Sequence, residues 1–358
     1  MVFLGGPRQV GKTTLAQSIL GKNWEHENRY LNWDSKQDRK QILNEELPTG
    51  KGLVVLDEIH KYRNWRNLIK GLYDKNKKDY QFLVTGSARL DYYRRGGDSL
   101  QGRYHYFRLH PLSIGELNRF KISYDLKSLL GFGGFPEPFI KGSKAGWRRW
   151  QNQRLVRVIN EDLINLERVQ EISQLTLMAE VLESKVGSPL SVKALAEDLE
   201  ISPKTAKHWL QILSNLYYCF LIPPYGSPKI RAVKKEQKLY LWDWSLCEDK
   251  GARFENMVAC QLLKYCHFIE DTLGYKMELR YIRDTDKREV DFVVIKNKKP
   301  EFAVECKYFD TNLSRDIFIL DRTPIKEFYQ VHTGQKSYQK SGVKLMGYED
   351  FVDALNLP

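Results

Sequence analysis

The stretch Gly6-Pro7-Arg8-Gln9-Val10-Gly11-Lys12-Thr13-Thr14 fits the phosphate-binding pattern G-x-x-x-x-G-K-[ST]. Its surroundings give the match meaning. The apolar Val2-Phe3-Leu4 before it reads as a strand, and Thr13 to Leu20 after it reads as a helix. In such a strand–loop–helix unit, Gly6 and Gly11 let the backbone curl until its N–H groups point at phosphate oxygens. The helix N-terminus behind the loop adds a favourable dipole for an anion. All nine residues of the loop are therefore candidate nucleotide contacts. Lys12 is expected to reach the β and γ phosphates, and the Thr13 hydroxyl to ligate Mg²⁺.

A second motif supports the first. Gly52-Leu53-Val54-Val55-Leu56-Asp57-Glu58 is a buried-strand run ending in two carboxylates. Beside a P-loop, Asp57 is expected to hold Mg²⁺ and Glu58 to act as general base on the attacking water. Arg29 to Asp34 and Tyr80 to Ser87 read as further strands, and Trp65 to Tyr73 as a helix. Strands alternating with helices predict a parallel α/β sheet, with ligands at the carboxyl ends of its strands. Thr85 and Ser87 would then both lie near the γ phosphate, with Ser87 favoured as its sensor. The alternative is that Thr85-Gly86-Ser87 is turn chemistry alone.

The chain of 358 residues is long enough for two or three domains, and its 42% apolar content supports real cores. A net charge of +12 favours an anionic partner, nucleic acid before a membrane surface. No apolar run of transmembrane length and no signal-peptide pattern is present, so no membrane is expected. The five cysteines form no C-x-x-C pair and sit in apolar surroundings. They predict reduced thiols and a cytoplasmic location.

The chain resembles the AAA-type ATPases of archaea and bacteria that carry a C-terminal domain of unknown function. The residues that carry this likeness are Gly5 through Thr14, Leu56-Asp57-Glu58-Ile59-His60, Thr85-Gly86-Ser87, Leu100-Gln101-Gly102-Arg103, Leu109-His110-Pro111-Leu112-Ser113 and Gly133-Gly134-Phe135-Pro136-Glu137-Pro138. The resemblance implies ATP as the nucleotide. It also implies that Arg103 completes the nucleotide site, either in the same subunit or in a neighbour within a homo-oligomer, where it would stabilise transition-state charge. The alternative for Arg103 is a loop cation with a local acid partner. Related chains carry a helical stretch before the first strand, which residue 1 begins here.

Beyond a glycine- and proline-rich boundary, Lys141, Lys144, Arg148, Arg149, Arg154 and Arg157 follow one another with Trp147 and Trp150 interleaved. Cations with flat aromatics suit nucleic acid. They equally suit a helix with aromatics inward and cations outward. Ser191 to Leu199 reads as a serine-capped helix, and Pro203 opens a second one. With the strand-like Cys219-Phe220-Leu221-Ile222 they make a winged helix-turn-helix pattern. Lys204, Thr205, Lys207 and His208 would face a DNA groove if it reads DNA. The other reading is an interdomain packing element.

The last part starts with a long amphipathic helix from Gly251, followed by Arg288 to Ile295, a turn, and Glu301 to Tyr308, a hairpin pattern. Alternation puts Ala303, Glu305 and Lys307 on one face. This resembles the PD-(D/E)XK nuclease superfamily, with Asp291, Glu305 and Lys307 matching its D…E-x-K and Glu255 matching the acid on the preceding helix. The likeness implies a second Mg²⁺ or Mn²⁺ at Asp291, Glu305 and Glu255, with Lys307 orienting or deprotonating water. An exposed Glu–Lys pair and an inactive nuclease-like fold remain as alternatives. The expected fold class is α/β: an AAA-type P-loop parallel-sheet domain over 1–122, a helical connector over 123–172, a winged helix over 173–225 and a restriction-endonuclease-like domain over 226–358.

Overall fold

The computed structural model describes residues 1–21, 28–86, 100–158, 172–226, 236–283, 288–309, 312–314 and 323–358. The chain forms two compact units, one chiefly of residues 1–110 and one chiefly of residues 111–358.

The first unit alternates strand and helix: β1 Val2–Gly5, α1 Lys12–Leu20, β2 Tyr30–Asn32, α2 Lys36–Leu43, β3 Gly52–Asp57, α3 Trp65–Asn76, β4 Tyr80–Thr85 and β5 His105–Arg108. The five strands pair in parallel in the order β2-β3-β4-β1-β5. A parallel sheet is covered on both faces, so its strands are apolar throughout rather than alternating. β3 shows this directly. Val54 and Leu56 pack with Phe3, Leu31, Phe82 and Val84, while Val55 packs on the other face with Leu4, Ala16 and Leu83. The register aligns Asn32, Asp57, Thr85 and Leu4 in one row across β2, β3, β4 and β1. β4 thus separates the loop's strand from the strand bearing Asp57. Thr85 stands between them.

The second unit opens with α4 Ile114–Arg119, α5 Leu126–Phe132, α6 Pro136–Lys141, α7 Lys144–Arg157 and α8 Ile172–Glu183. Then come β6 Pro189–Leu190, α9 Val192–Asp198, α10 Pro203–Asn215, β7 Cys219–Ile222 and β8 Gln237–Leu241. Ser191 Oγ caps α9 by accepting from Ala194 N at 3.3 Å, and Ser202 Oγ accepts from Thr205 N at 3.0 Å as Pro203 opens α10. α10 buries Ala206, Trp209, Leu210, Ile212 and Leu213 and exposes Lys204, Lys207 and His208. The three strands form one sheet in the order β6-β8-β7.

The remainder is α11 Lys250–Leu273, β9 Met277–Arg283, β10 Glu289–Lys296, β11 Lys299–Lys307, β12 Glu327–His332, β13 Tyr338–Lys340, β14 Val343–Gly347 and α12 Tyr348–Ala354. Its sheet has the order β13-β14-β12-β11-β10-β9, antiparallel from β9 to β11 and parallel from β11 through β12 to β14. The β10–β11 hairpin turns at Asn297 and Lys298, both with positive φ (48° and 69°), as a twist-matched two-residue turn requires.

Two expected boundaries fall where the structure ties the chain together. The first compact unit runs chiefly to His110, and α4 is tied into the second unit. Glu116 pairs with Lys264 of α11 at 2.6 Å, and a Cβ on Gly115 would lie 2.2 Å from the Leu357 carbonyl oxygen. The expected boundary at 226 would cut β7 from β8, which pair along Cys219–Ile222. Among the described residues no helix is long and apolar enough to cross a membrane.

Candidate functional site

The P-loop links the end of β1 to α1. Gly6 and Gly11 have φ of 141° and 100°, where side chains are strained, and a Cβ on Gly6 would meet the Leu109 carbonyl oxygen at 2.3 Å. Gly11 caps α1 without a side-chain hydrogen bond, leaving the first-turn N–H groups directed at the loop. Gly6, Pro7, Val10 and Lys12 are buried, Arg8, Gln9 and Gly11 half-buried, and Thr13 and Thr14 exposed. Lys12 Nζ donates to the carbonyl oxygens of Gly6 (2.9 Å) and Pro7 (2.5 Å), so its ammonium is held over the loop.

Asp57 is the hub. Its buried carboxylate accepts from Thr13 Oγ1 (2.9 Å), from Tyr30 OH (2.5 Å) and from Thr85 Oγ1. The structure thus brings Thr13 and Asp57 together across the sheet, as their motifs require. A hydroxyl and a carboxylate are hard oxygen donors, which suits Mg²⁺. Burial and the Asp57 carboxylate push the Tyr30 phenol far above its ordinary range. Tyr30 escapes sequence reasoning because a tyrosine opening a strand is ordinary β chemistry. Thr85 is the β4 residue that touches Asp57; Ser87, favoured as the γ-phosphate sensor, lies outside the described residues.

Glu58 sits in the left-handed region at φ 58°, with its N–H bonded to the Thr85 carbonyl at 3.1 Å. A non-glycine residue held there is strained, which occurs where surrounding contacts fix a functional side chain. Its carboxylate lies 3.2 Å from Lys61 Nζ and 3.7 Å from His60 Nε2. Burial raises its pKa, with Lys61 pulling the other way.

The Arg103 carbonyl accepts from the Met1 amino group at 3.1 Å, so it stands where β1 begins, at the edge of the sheet opposite the P-loop. Its guanidinium pairs with Asp74 of α3 at 2.9 Å, which also holds the Asp74 carboxyl below its usual range. That position favours the alternative of a cation with a local acid partner over a same-subunit role at the γ phosphate. Nearby, Asn76-Lys77-Lys78-Asp79 spells the guanine-reading run N-K-x-D. It lies between the end of α3 and the start of β4, with Asp79 paired to Lys51 at 2.8 Å, on the same wrong edge.

In α7 the packing alternative holds for the aromatics and one arginine. Trp150 and Arg154 are buried, and Trp147 Nε1 donates to Ser245 Oγ at 2.9 Å. Lys144, Arg148, Arg149 and Arg157 are exposed.

Two of the acids matched to a nuclease, Glu255 and Asp291, converge on a lysine. Lys238 Nζ lies 2.7 Å from Glu289, 3.0 Å from Asp291 and 3.1 Å from Glu255, with only 1% of its side chain exposed. Burial alone would depress this amine; Asp291, Tyr240, Glu255 and Glu289 outweigh it and raise the pKa well above the usual value. Glu305 pairs with Lys307 at 2.8 Å. Burial and then the Asp291 charge raise Glu255 to about 7 and Glu305 to about 8. Among the described residues, no group of three or more His, Cys, Asp or Glu side chains is arranged to hold a metal ion. The expected second metal site at Asp291, Glu305 and Glu255 therefore finds no support there. The buried lysine is Lys238, whereas Lys307 is 35% exposed. Lys238 had a sequence signal: in Gln237-Lys238-Leu239-Tyr240-Leu241 it is a cation inside an apolar strand, sharing a face with Tyr240.

Comparison with known proteins divides the chain in three. A family model described as an AAA domain matches residues 1–118. Two domains of unknown function, DUF8612 and DUF4143, match residues 123–250 and 250–351. An uncharacterized protein of Mycobacterium tuberculosis is 24% identical over 250 residues, covering 69% of this chain and 55% of its own length. The chain thus spans about half the length of that relative. An uncharacterized protein of Methanocaldococcus jannaschii is 24% identical over 370 residues, covering 85% of this chain and 75% of its own. Among solved structures, Aeropyrum pernix ORC1 in complex with DNA is 13% identical with a TM-score of 0.33, covering 72% of this chain and 86% of that one. AMPPCP-bound DnaA from Aquifex aeolicus is 12% identical with a TM-score of 0.31, covering 60% and 81%. At those scores the likeness carries no argument about activity. The family match and the parallel sheet together make the first unit an AAA-type P-loop domain, a nucleotide-binding fold.

Proposed function

We propose that this chain is a Mg·ATP-binding, ATP-hydrolysing switch protein whose second unit binds DNA without cutting it. The observation that carries the nucleotide half is the meeting of Thr13 with Asp57 at 2.9 Å, at the strand ends beside a loop built around Lys12. Thr13 and Asp57 would hold Mg²⁺, which would neutralise phosphate charge when bound. Lys12 would exchange its two carbonyl partners for β and γ phosphate oxygens. The first-turn N–H groups of α1 would cradle the same phosphates. Glu58 would take the proton of the attacking water, and its raised pKa brings it closer to the pH at which a general base works. Thr85 would report on the site through Asp57.

DNA as partner is supported by the net charge of +12 and by the exposed Lys204, Lys207 and His208 on the outer face of α10. In this reading α9, α10 and the β6-β8-β7 sheet form a winged helix, so that domain runs through residue 241 rather than ending at 225. The test is Mg²⁺-dependent binding of an ATP analogue, with ATP turnover, in the full chain and two variants. Lys12→Ala should lose binding. Glu58→Gln should bind and turn over at least about a hundredfold more slowly, the usual worth of a general base. A native chain that binds no nucleotide, or a Lys12→Ala chain with native turnover, overturns the reading.

A further inference from the structure

We propose that the acid cluster of the second unit is a closed ion site whose resident cation is the Lys238 ammonium, and that this ammonium excludes a divalent metal from Asp291. The inference goes beyond the nucleotide reading and stands independently of it. Its ground is that the acceptors of Asp291, and one oxygen each of Glu255 and Glu289, are already in use, while Glu305 keeps a buried Oε2 without a hydrogen-bond partner. An ammonium has three protons, and three carboxylates surround Lys238: Glu289 at 2.7 Å, Asp291 at 3.0 Å and Glu255 at 3.1 Å. The second oxygen of Asp291 accepts from Cys306 N at 2.9 Å. Glu255 Oε1 also accepts from Tyr240 OH at 2.7 Å. Lys238 Nζ further stands 5.7 Å from the centroid of the Tyr281 ring.

A small dication needs about six oxygen ligands at close range and dehydrates reluctantly. To reach Asp291 it would have to displace an amine that is buried, hydrogen-bonded and charged, or accept a like charge within a few ångströms in a medium that screens poorly. The three anions come from two secondary structures, Glu255 from α11 and Glu289 and Asp291 from β10, and the cation comes from β8. β8 belongs to the three-stranded sheet, and β10 to the six-stranded one. One side chain therefore neutralises the acids and fastens the two sheets of the second unit together. On this account a fold resembling a metal nuclease has had its metal replaced by an internal cation and works as a scaffold.

The experiment is a Mn²⁺ titration of the full chain followed by electron paramagnetic resonance, comparing native, Asp291→Asn, Lys238→Met and the double variant. Native and Asp291→Asn should titrate alike, since no ion depends on Asp291. Lys238→Met should take up one additional Mn²⁺, at least about tenfold tighter than any native site outside the P-loop, which is the equivalent of one pKa unit of relieved repulsion. Asp291→Asn in the double variant should abolish that uptake. A stoichiometric native ion lost in Asp291→Asn overturns the proposal, because the metal then displaces Lys238. A folded Lys238→Met chain that gains no ion also overturns it, because something other than the ammonium excludes metal. Should Lys238→Met fail to fold, Lys238→Gln, which keeps a hydrogen-bonding side chain of similar length without the charge, takes its place in the same comparison. ATP turnover enters neither readout, so failure here is separable from failure at the nucleotide site.

Discussion

Removing the Asp243 carboxylate should loosen α7 far more than removing any exposed arginine of that helix. Arg154 and Asp243 are 4% and 0% exposed, with Nη1 and Oδ2 3.5 Å apart. The guanidinium lies over Phe135 at 4.2 Å and near Trp150 at 5.5 Å. Burial lowers the Arg154 pKa, and Asp243 pulls it back. The same carboxylate accepts from Gln151 Nε2 at 2.7 Å and from Ser245 N and Oγ at 3.1 and 2.6 Å. Asp243→Ala would leave a buried cation with no counter-ion, a change that costs about 3–5 kcal/mol. The three stranded donors add to that where water does not reach them. At about 1.4 kcal/mol per tenfold, native-state hydrogen exchange of the α7 amides should accelerate at least a hundredfold. Arg154→Met with Asp243→Asn should recover most of the loss, because an apolar side chain of similar size replaces a buried ion pair without penalty. Arg148→Ala with Arg149→Ala should leave exchange unchanged. Unchanged exchange in Asp243→Ala, or a double variant as labile as the two single effects added, would refute the pair as the clamp. Loss of DNA affinity in Arg154→Met with native exchange would instead make Arg154 a contact residue.

Three further outcomes are expected. Thr85→Val removes one of the three hydroxyl donors to the buried Asp57 carboxylate, so denaturant unfolding of the first unit should show a loss of about 1.5–3 kcal/mol, the worth of a hydrogen bond to a charged group. Glu183 is raised from 4.5 to about 7 by burial, against a hydrogen bond from Tyr218. Between those values the unfolded chain has released this proton and the folded chain retains it, so its contribution to stability falls as pH rises through the window and levels off above it. Glu183→Gln should therefore gain on the native chain in melting temperature between pH 5 and pH 8, and a constant difference would count against the shift. Lys204→Ala with Lys207→Ala should weaken DNA binding and flatten the log–log salt dependence by about 0.9 per lost phosphate contact. An unaltered slope would remove α10 from the interface.

What was legible in the sequence was local in the sequence. The P-loop, the serine caps of α9 and α10, and the parallel strands of the first unit are each written in a few consecutive residues, because their physics is local: a glycine conformation, a cap, an unbroken apolar run. The strand order was not written there. Asp57 and Thr13 could be paired from their motifs, but that β4 lies between their strands, so that Thr85 touches Asp57, depends on crossovers that no window contains. The place of Arg103 was hidden for the same reason. Its motif fixed the residue type, while the edge of the sheet it occupies follows from its carbonyl meeting Met1. Lys238 shows how far this reaches into chemistry. D…E-x-K specifies that acids and a lysine share a hairpin, and they do. It says nothing of a cation arriving from another sheet, and Lys238 lies 53 residues from Asp291 in the chain. A buried acid cluster must be neutralised by something, and whether by metal, proton or ammonium is decided by which strand lies beside it. For that reason the motif alone points to a nuclease, while the packed structure sets an ammonium beside Glu255, Glu289 and Asp291.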